Sequence, residues 1–140
     1  MMIGMFGAAF VFGIAAIGSA IGIGTAGQAA IGAWKRCYMD NKPAPFILTV
    51  FAGAPLTQTI YAFLLMRSMI TSAQDGLFLL ALGIFSGFAM ATSAIYQGKA
   101  GAAGSDALGE TGKGFANYIM VVGLCETVAL FAMVFSMIVC

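Results

Sequence analysis

Charge is what this sequence has least of. Its 140 residues carry 6 Lys and Arg and 5 Asp and Glu, only 8% charged in all, where a soluble domain carries about 25%. So few charges cannot clothe a water-exposed surface, and lipid must be the solvent for much of the chain. The formal net charge of +1 argues against a nucleic-acid partner, which requires a basic face. Histidine is absent, which removes the commonest metal ligand and the usual acid–base group near neutral pH. The three cysteines, Cys37, Cys125 and Cys140, are odd in number and lack metal-site spacing. Cys125 and Cys140 lie in apolar runs and read as small buried hydrophobes. The ten-residue alternation of a membrane barrel is missing too.

What is present is hydrophobic residue, 61% of the chain, in four long runs. Met1 to Trp34, Pro43 to Met66 and Gly76 to Gly98 hold no charge, and Gly114 to Cys140 holds one, Glu126. Each run exceeds the ~20 residues that cross the hydrocarbon as a helix. Met1 to Trp34 is too long for a signal peptide and lacks its charged start, so it reads as a mature helix. The predicted fold is an all-α membrane protein of two tandem helical hairpins. The first covers residues 1–70, with helices at about 1–34 and 43–67. The second covers residues 71–140, with helices at about 76–104 and 113–140. The predicted connections are Lys35 to Lys42, Arg67 to Asp75 and Lys99 to Lys113. The first and third share one side and hold Lys35, Arg36, Lys42, Lys99 and Lys113, against Arg67 alone in the second. Positive residues favour the cytoplasm. Both hairpin tips are therefore expected inside and both termini outside.

The hairpins repeat. Displaced by 74, Gly13–Ala29 falls on Gly87–Ala103 with nine of 17 positions identical. Displaced by 68, PLTQTIYAF (Pro55–Phe63) falls on GLCETVALF (Gly123–Phe131), and Gln58 meets Glu126. One hairpin has a carboxylate where the other has its amide. Helix 1 is also dense in glycine, at Gly4, Gly7, Gly13, Gly18, Gly22, Gly24, Gly27 and Gly32, and helix 3 repeats the theme with Gly83, Gly87 and Gly98. Small residues let helices approach closely in lipid, so helices 1 and 3 are expected to form a tight inner wall. GIGTAG (Gly22–Gly27) fits the dinucleotide pattern GxGxxG, but no strand precedes it and it lies within a helix, so packing explains it.

Glu126 has about a dozen residues on either side in helix 4. A charge at that depth is costly and must be paired, neutralised or functional. The polar residues available to it are mostly on helix 2, where Thr57, Gln58 and Tyr61 share a face. Pro55 precedes them, and a proline frees carbonyls in the turn before it, here near Phe51 and Ala54. Gln97 on helix 3 and Thr127 beside Glu126 complete the set, with Ser93 and Pro55 around it. A carboxylate, two amides, hydroxyls and a carbonyl are hard oxygen ligands. They suit a small hard cation such as sodium; a bare proton needs only the carboxyl group.

These motifs together resemble the rotor-ring proteolipid, often designated K or c, of V-type (V/A-type) ATPases. The resemblance spans essentially the whole chain. It rests on the duplicated hairpin, the Gly-rich first helix, P-L-T-Q-T-I-Y on helix 2, A-I-Y-Q-G-K-A-G on helix 3 and L-C-E-T-V-A on helix 4. It implies a ring of identical subunits, with helices 1 and 3 inside and helices 2 and 4 outside. It also implies a stator membrane subunit with an essential Arg, and central-stalk subunits at the cytoplasmic hairpin loops. By the sodium-pumping members, sodium would be held by Glu126, Gln58, Gln97, Thr57 and the main-chain carbonyl of Ala54. Tyr61 would hydrogen-bond Glu126. Proton-pumping relatives generally lack the full polar set, and a proton-carrying ring is the alternative. The resemblance implies no covalent chemistry by this chain. A small multidrug exporter would need aromatic neighbours to hold an organic cation, and Glu126 is flanked by Leu, Thr and Gln. A purely structural or hole-forming protein would leave Glu126, Gln58 and Gln97 unexplained.

Overall fold

The computed structural model describes residues 2–140 as four helices: α1 Met2–Met39, α2 Leu48–Ile70, α3 Gly76–Thr111 and α4 Phe115–Val139. All four are long and apolar enough to cross a membrane, and among the described residues there is no strand. Asp75 starts α3 by accepting hydrogen bonds from the backbone N–H groups of Leu77 (2.9 Å) and Phe78 (3.3 Å), the usual satisfaction of a helix N-terminus. Gly112 ends α3 in the left-handed region (φ 66°), with its N–H on the Leu108 carbonyl at 2.8 Å. Gly114 follows at φ 91°, and a Cβ there would stand 2.7 Å from the Tyr118 ring, so this tight turn requires glycine twice.

Helices α1 and α3 are longer than their sequence suggests. α1 continues through Lys35 and Arg36 to Met39, and α3 continues beyond 104 to Thr111. Lys99 is therefore not in a loop. It lies in α3, twelve residues before the helix ends, or about 18 Å along the axis, with its ammonium 4.6 Å from the Tyr96 ring centroid. The cause is packing. Gly101, Gly104 and Gly109 read as helix breakers in isolation, but each makes room for a neighbour. A Cβ at Gly104 would stand 3.2 Å from the Phe51 ring, and one at Gly109 would stand 2.7 Å from Ala33 Cβ. Arg36 and Asp106 pair across the same end of α1 and α3.

α1 and α3 run side by side at glycine contacts. A Cβ on Gly7 or Gly22 would come within 2.3 Å of the Leu79 or Ala94 carbonyl, and one on Gly98 within 2.3 Å of the Gly22 carbonyl. α2 and α4 pack outside this pair. Buried Val11, Leu65, Met90 and Ala129 fill one end, and Leu48, Phe51, Leu108 and Val122 fill the other. Trp34 fastens the loop after α1 by donating to the Pro45 carbonyl at 2.8 Å. Large apolar side chains, Phe46, Phe85 and Ile138 among them, stay exposed, as they would toward lipid or other subunits.

Candidate functional site

Pro55 shapes the site. It has no N–H to donate, and α2 responds with a 3₁₀ turn at Ala54–Leu56 between Leu48–Gly53 and Thr57–Ile70. The two carbonyls expected to be free there differ in fate. That of Phe51 faces α3, where a Cβ on Gly101 would stand 2.8 Å from it, so it is covered by the neighbouring helix. That of Ala54 accepts the Thr57 backbone N–H, and the Thr57 hydroxyl lies 3.0 Å away. The same hydroxyl lies 3.2 Å from Gln58 Oε1. One hydroxyl hydrogen thus serves two oxygen acceptors, leaving a small cluster of oxygens with more lone pairs than donors.

Gln58 and Gln97 are both 0% exposed, so their amides must find partners inside the bundle. Gln58 Nε2 donates to Gln97 Oε1 at 2.7 Å and to Ser93 Oγ at 3.2 Å. Gln97 Nε2 donates to the Val122 carbonyl at 3.0 Å and to Glu126 Oε2 at 3.1 Å. Tyr61 Oη donates to Glu126 Oε1 at 2.6 Å. Ser93 Oγ closes the network by donating to the Cys125 carbonyl at 2.6 Å. Three helices thus bring Ala54, Thr57, Gln58, Tyr61, Ser93, Gln97 and Glu126 into one connected network.

Thr127 does not join it. Its hydroxyl turns back to the Leu124 carbonyl at 2.7 Å, because the next position on a helix points about 100° away from Glu126. The network also recruits two groups outside the expected set, the Val122 and Cys125 carbonyls. Both are main-chain groups of α4, and no side-chain pattern marks them.

Glu126 is partly buried and receives two hydrogen bonds but, among the described residues, no cationic side chain. Among the described residues the ion pairs are Arg36–Asp106 and Lys42–Asp40. Among the described residues there is likewise no cluster of three His, Cys, Asp or Glu that could hold a resident metal. A carboxylate that receives polar donors and, among the described residues, no cationic side chain is one that a cation or a proton could neutralise.

Among curated proteins no match to the chain is found. Residues 80–139, which carry Ser93, Gln97 and Glu126, match the ATP synthase C-subunit family, whose members are the membrane proteolipids of ATP synthase rotor rings.

Proposed function

We propose that this chain is the rotor-ring proteolipid of a V-type ATPase and carries sodium at Glu126. One observation carries the reading: among the described residues Glu126 has no cationic partner, and the oxygens of Thr57, Ala54 and Gln58, which share a single hydroxyl hydrogen, connect to it through Gln97. A sodium ion among Glu126, Gln58, Gln97, Thr57 and the Ala54 carbonyl would use the lone pairs that no donor satisfies. Tyr61 would fix the carboxylate from the other side.

The ion cancels the charge of Glu126, so the loaded site can pass through lipid as the ring turns. At the stator, a fixed Arg would take the place of the ion and release it. Each monovalent ion moved against 100 mV costs about 2.3 kcal/mol. The chain holds one such carboxylate for four helices, since Gln58 occupies the matching place in the first hairpin. Fewer ions per turn leave more torque for each, which suits a pump driven by ATP hydrolysis. The chain itself supplies the carrier and no covalent chemistry, in keeping with the non-catalytic family it matches. Lys35, Arg36, Lys42 and Lys113 against Arg67 favour a cytoplasmic position for both hairpin tips, where central-stalk subunits would bind.

Carbodiimide labelling tests the ion. It attacks a carboxyl group in its protonated form, so sodium should protect Glu126 from labelling, and protection should weaken as pH falls and protons compete. Potassium, too large for the site, should protect poorly. Labelling of Glu126 that ignores sodium at every pH would make this a proton-carrying ring.

A further inference from the structure

Helix α1 has two glycine edges, and the chain itself uses one. Gly7, Gly18 and Gly22 face α3, and a Cβ on any of them would stand 2.3 Å from an α3 backbone atom. Gly13, Gly24 and Gly27 lie elsewhere on the helix, and a Cβ on any of them would meet no atom of the described residues within 4 Å. Such glycines weaken a helix without a packing gain inside the chain.

The internal repeat shows what this second edge fits. Displaced by 74, Gly13, Gly24 and Gly27 fall on Gly87, Gly98 and Gly101. All three counterparts are occupied. Gly87 lies against Val11 and Ile14, Gly98 against the Gly22 backbone, and Gly101 against the Phe51 carbonyl. The surface that α1 offers to Gly87 and Gly98 has its own counterpart on α3. By the same displacement Val11, Ile14 and Gly22 become Phe85, Phe88 and Tyr96. These three are 74%, 58% and 57% exposed. One copy thus carries both an empty glycine edge and the surface that matches it, and leaves both uncovered.

We propose that a second copy joins them: Phe85 and Phe88 of one copy seat against Gly13 of the next, and Tyr96 seats against Gly24. The two surfaces differ, so the contact is head-to-tail, and it propagates until rotation closes a ring. The inference rests on the ring reading and adds its contact and register. The new contact is not a replica of the internal one. Within the chain, Gly7 meets Gly83 and Gly22 meets Gly98, backbone against backbone. Between copies, an aromatic ring stands where Gly22 stood. A Cβ at Gly22 would already come 2.3 Å from the Ala94 carbonyl, so a tyrosine in the equivalent place holds the backbones further apart. The inner wall therefore alternates a close spacing within each chain with a wider one between chains, filled by Phe85, Phe88 and Tyr96.

Disulfide trapping of the full chain in detergent tests this, with the unmodified chain as baseline for Cys37, Cys125 and Cys140. Gly24→Cys combined with Tyr96→Cys should give on oxidation a ladder in steps of one 14.4 kDa chain, and neither single variant should. Gly24→Leu should abolish the oligomer on native gels while leaving the monomer's thermal unfolding unchanged, and adding Tyr96→Ala should restore it. An oligomer that forms without the ladder and tolerates Gly24→Leu would overturn this contact and leave the ring reading standing. Dimers from Gly24→Cys alone would overturn the head-to-tail arrangement. An unmodified chain that forms no oligomer would overturn both.

Discussion

Tyr61 and Glu126 meet across the α2–α4 boundary, the phenol oxygen 2.6 Å from carboxylate Oε1 although the residues lie 65 positions apart. The contact fixes the carboxylate's orientation while Gln97 holds its other oxygen. Tyr61→Phe should therefore keep the chain folded and Glu126 reactive, but weaken sodium binding. A hydrogen bond to a charged group contributes about 1.5–3 kcal/mol, or roughly 10- to 150-fold in affinity. The sodium concentration that halves carbodiimide labelling measures it.

Gln58→Ala and Gln97→Ala remove neutral ligands and keep the carboxyl group. Both variants should still label and need more sodium for protection. The expected loss is about 1–3 kcal/mol, or roughly 5- to 150-fold. Gln97→Ala should show the larger effect, because Gln97 also ties α3 to the Val122 carbonyl and accepts from Gln58. Equal protection of both variants and the parent would show that the amides only bind helices together.

The heart of this site is readable in the sequence because membrane depth makes polarity conspicuous. Glu126 is the one charge in its run, Pro55 announces a broken turn, and Gln58 and Gln97 stand out in apolar helices. What escapes is whatever depends on helix rotation and on the main chain. Thr127 is adjacent in sequence but points away, and the Val122 and Cys125 carbonyls enter through backbone placement alone. The end of α3 escapes for a related reason. Glycine weakens an isolated helix, yet Gly104 and Gly109 are held helical by Phe51 and Ala33 against them, neighbours remote in sequence.

The two glycine edges of α1 should respond differently to the same substitution. Gly22→Leu forces a side chain where even a Cβ would stand 2.3 Å from the Ala94 carbonyl. It should destabilise the monomer itself by roughly 3 kcal/mol or more, since overpacking against backbone cannot relax by a rotamer change. Thermal unfolding in detergent should show a large drop for Gly22→Leu and little change for Gly24→Leu.

Sidedness is best read from the loop after α1. Cys37 lies at that end but is only 3% exposed, its Sγ 3.5 Å from the Gly109 carbonyl, and so should label slowly. Asn41→Cys places a thiol in the exposed loop. A membrane-impermeant thiol reagent should reach it only from the cytoplasmic side. Labelling from outside sealed cells would invert the topology.

Equilibrium binding of radioactive sodium to the purified oligomer decides whether the network around Glu126 holds the proposed ion. One saturable sodium per chain is expected, displaced by acid and lost in Glu126→Gln. An oligomer that binds no sodium, or that binds as much after Glu126→Gln, would contradict the proposed site.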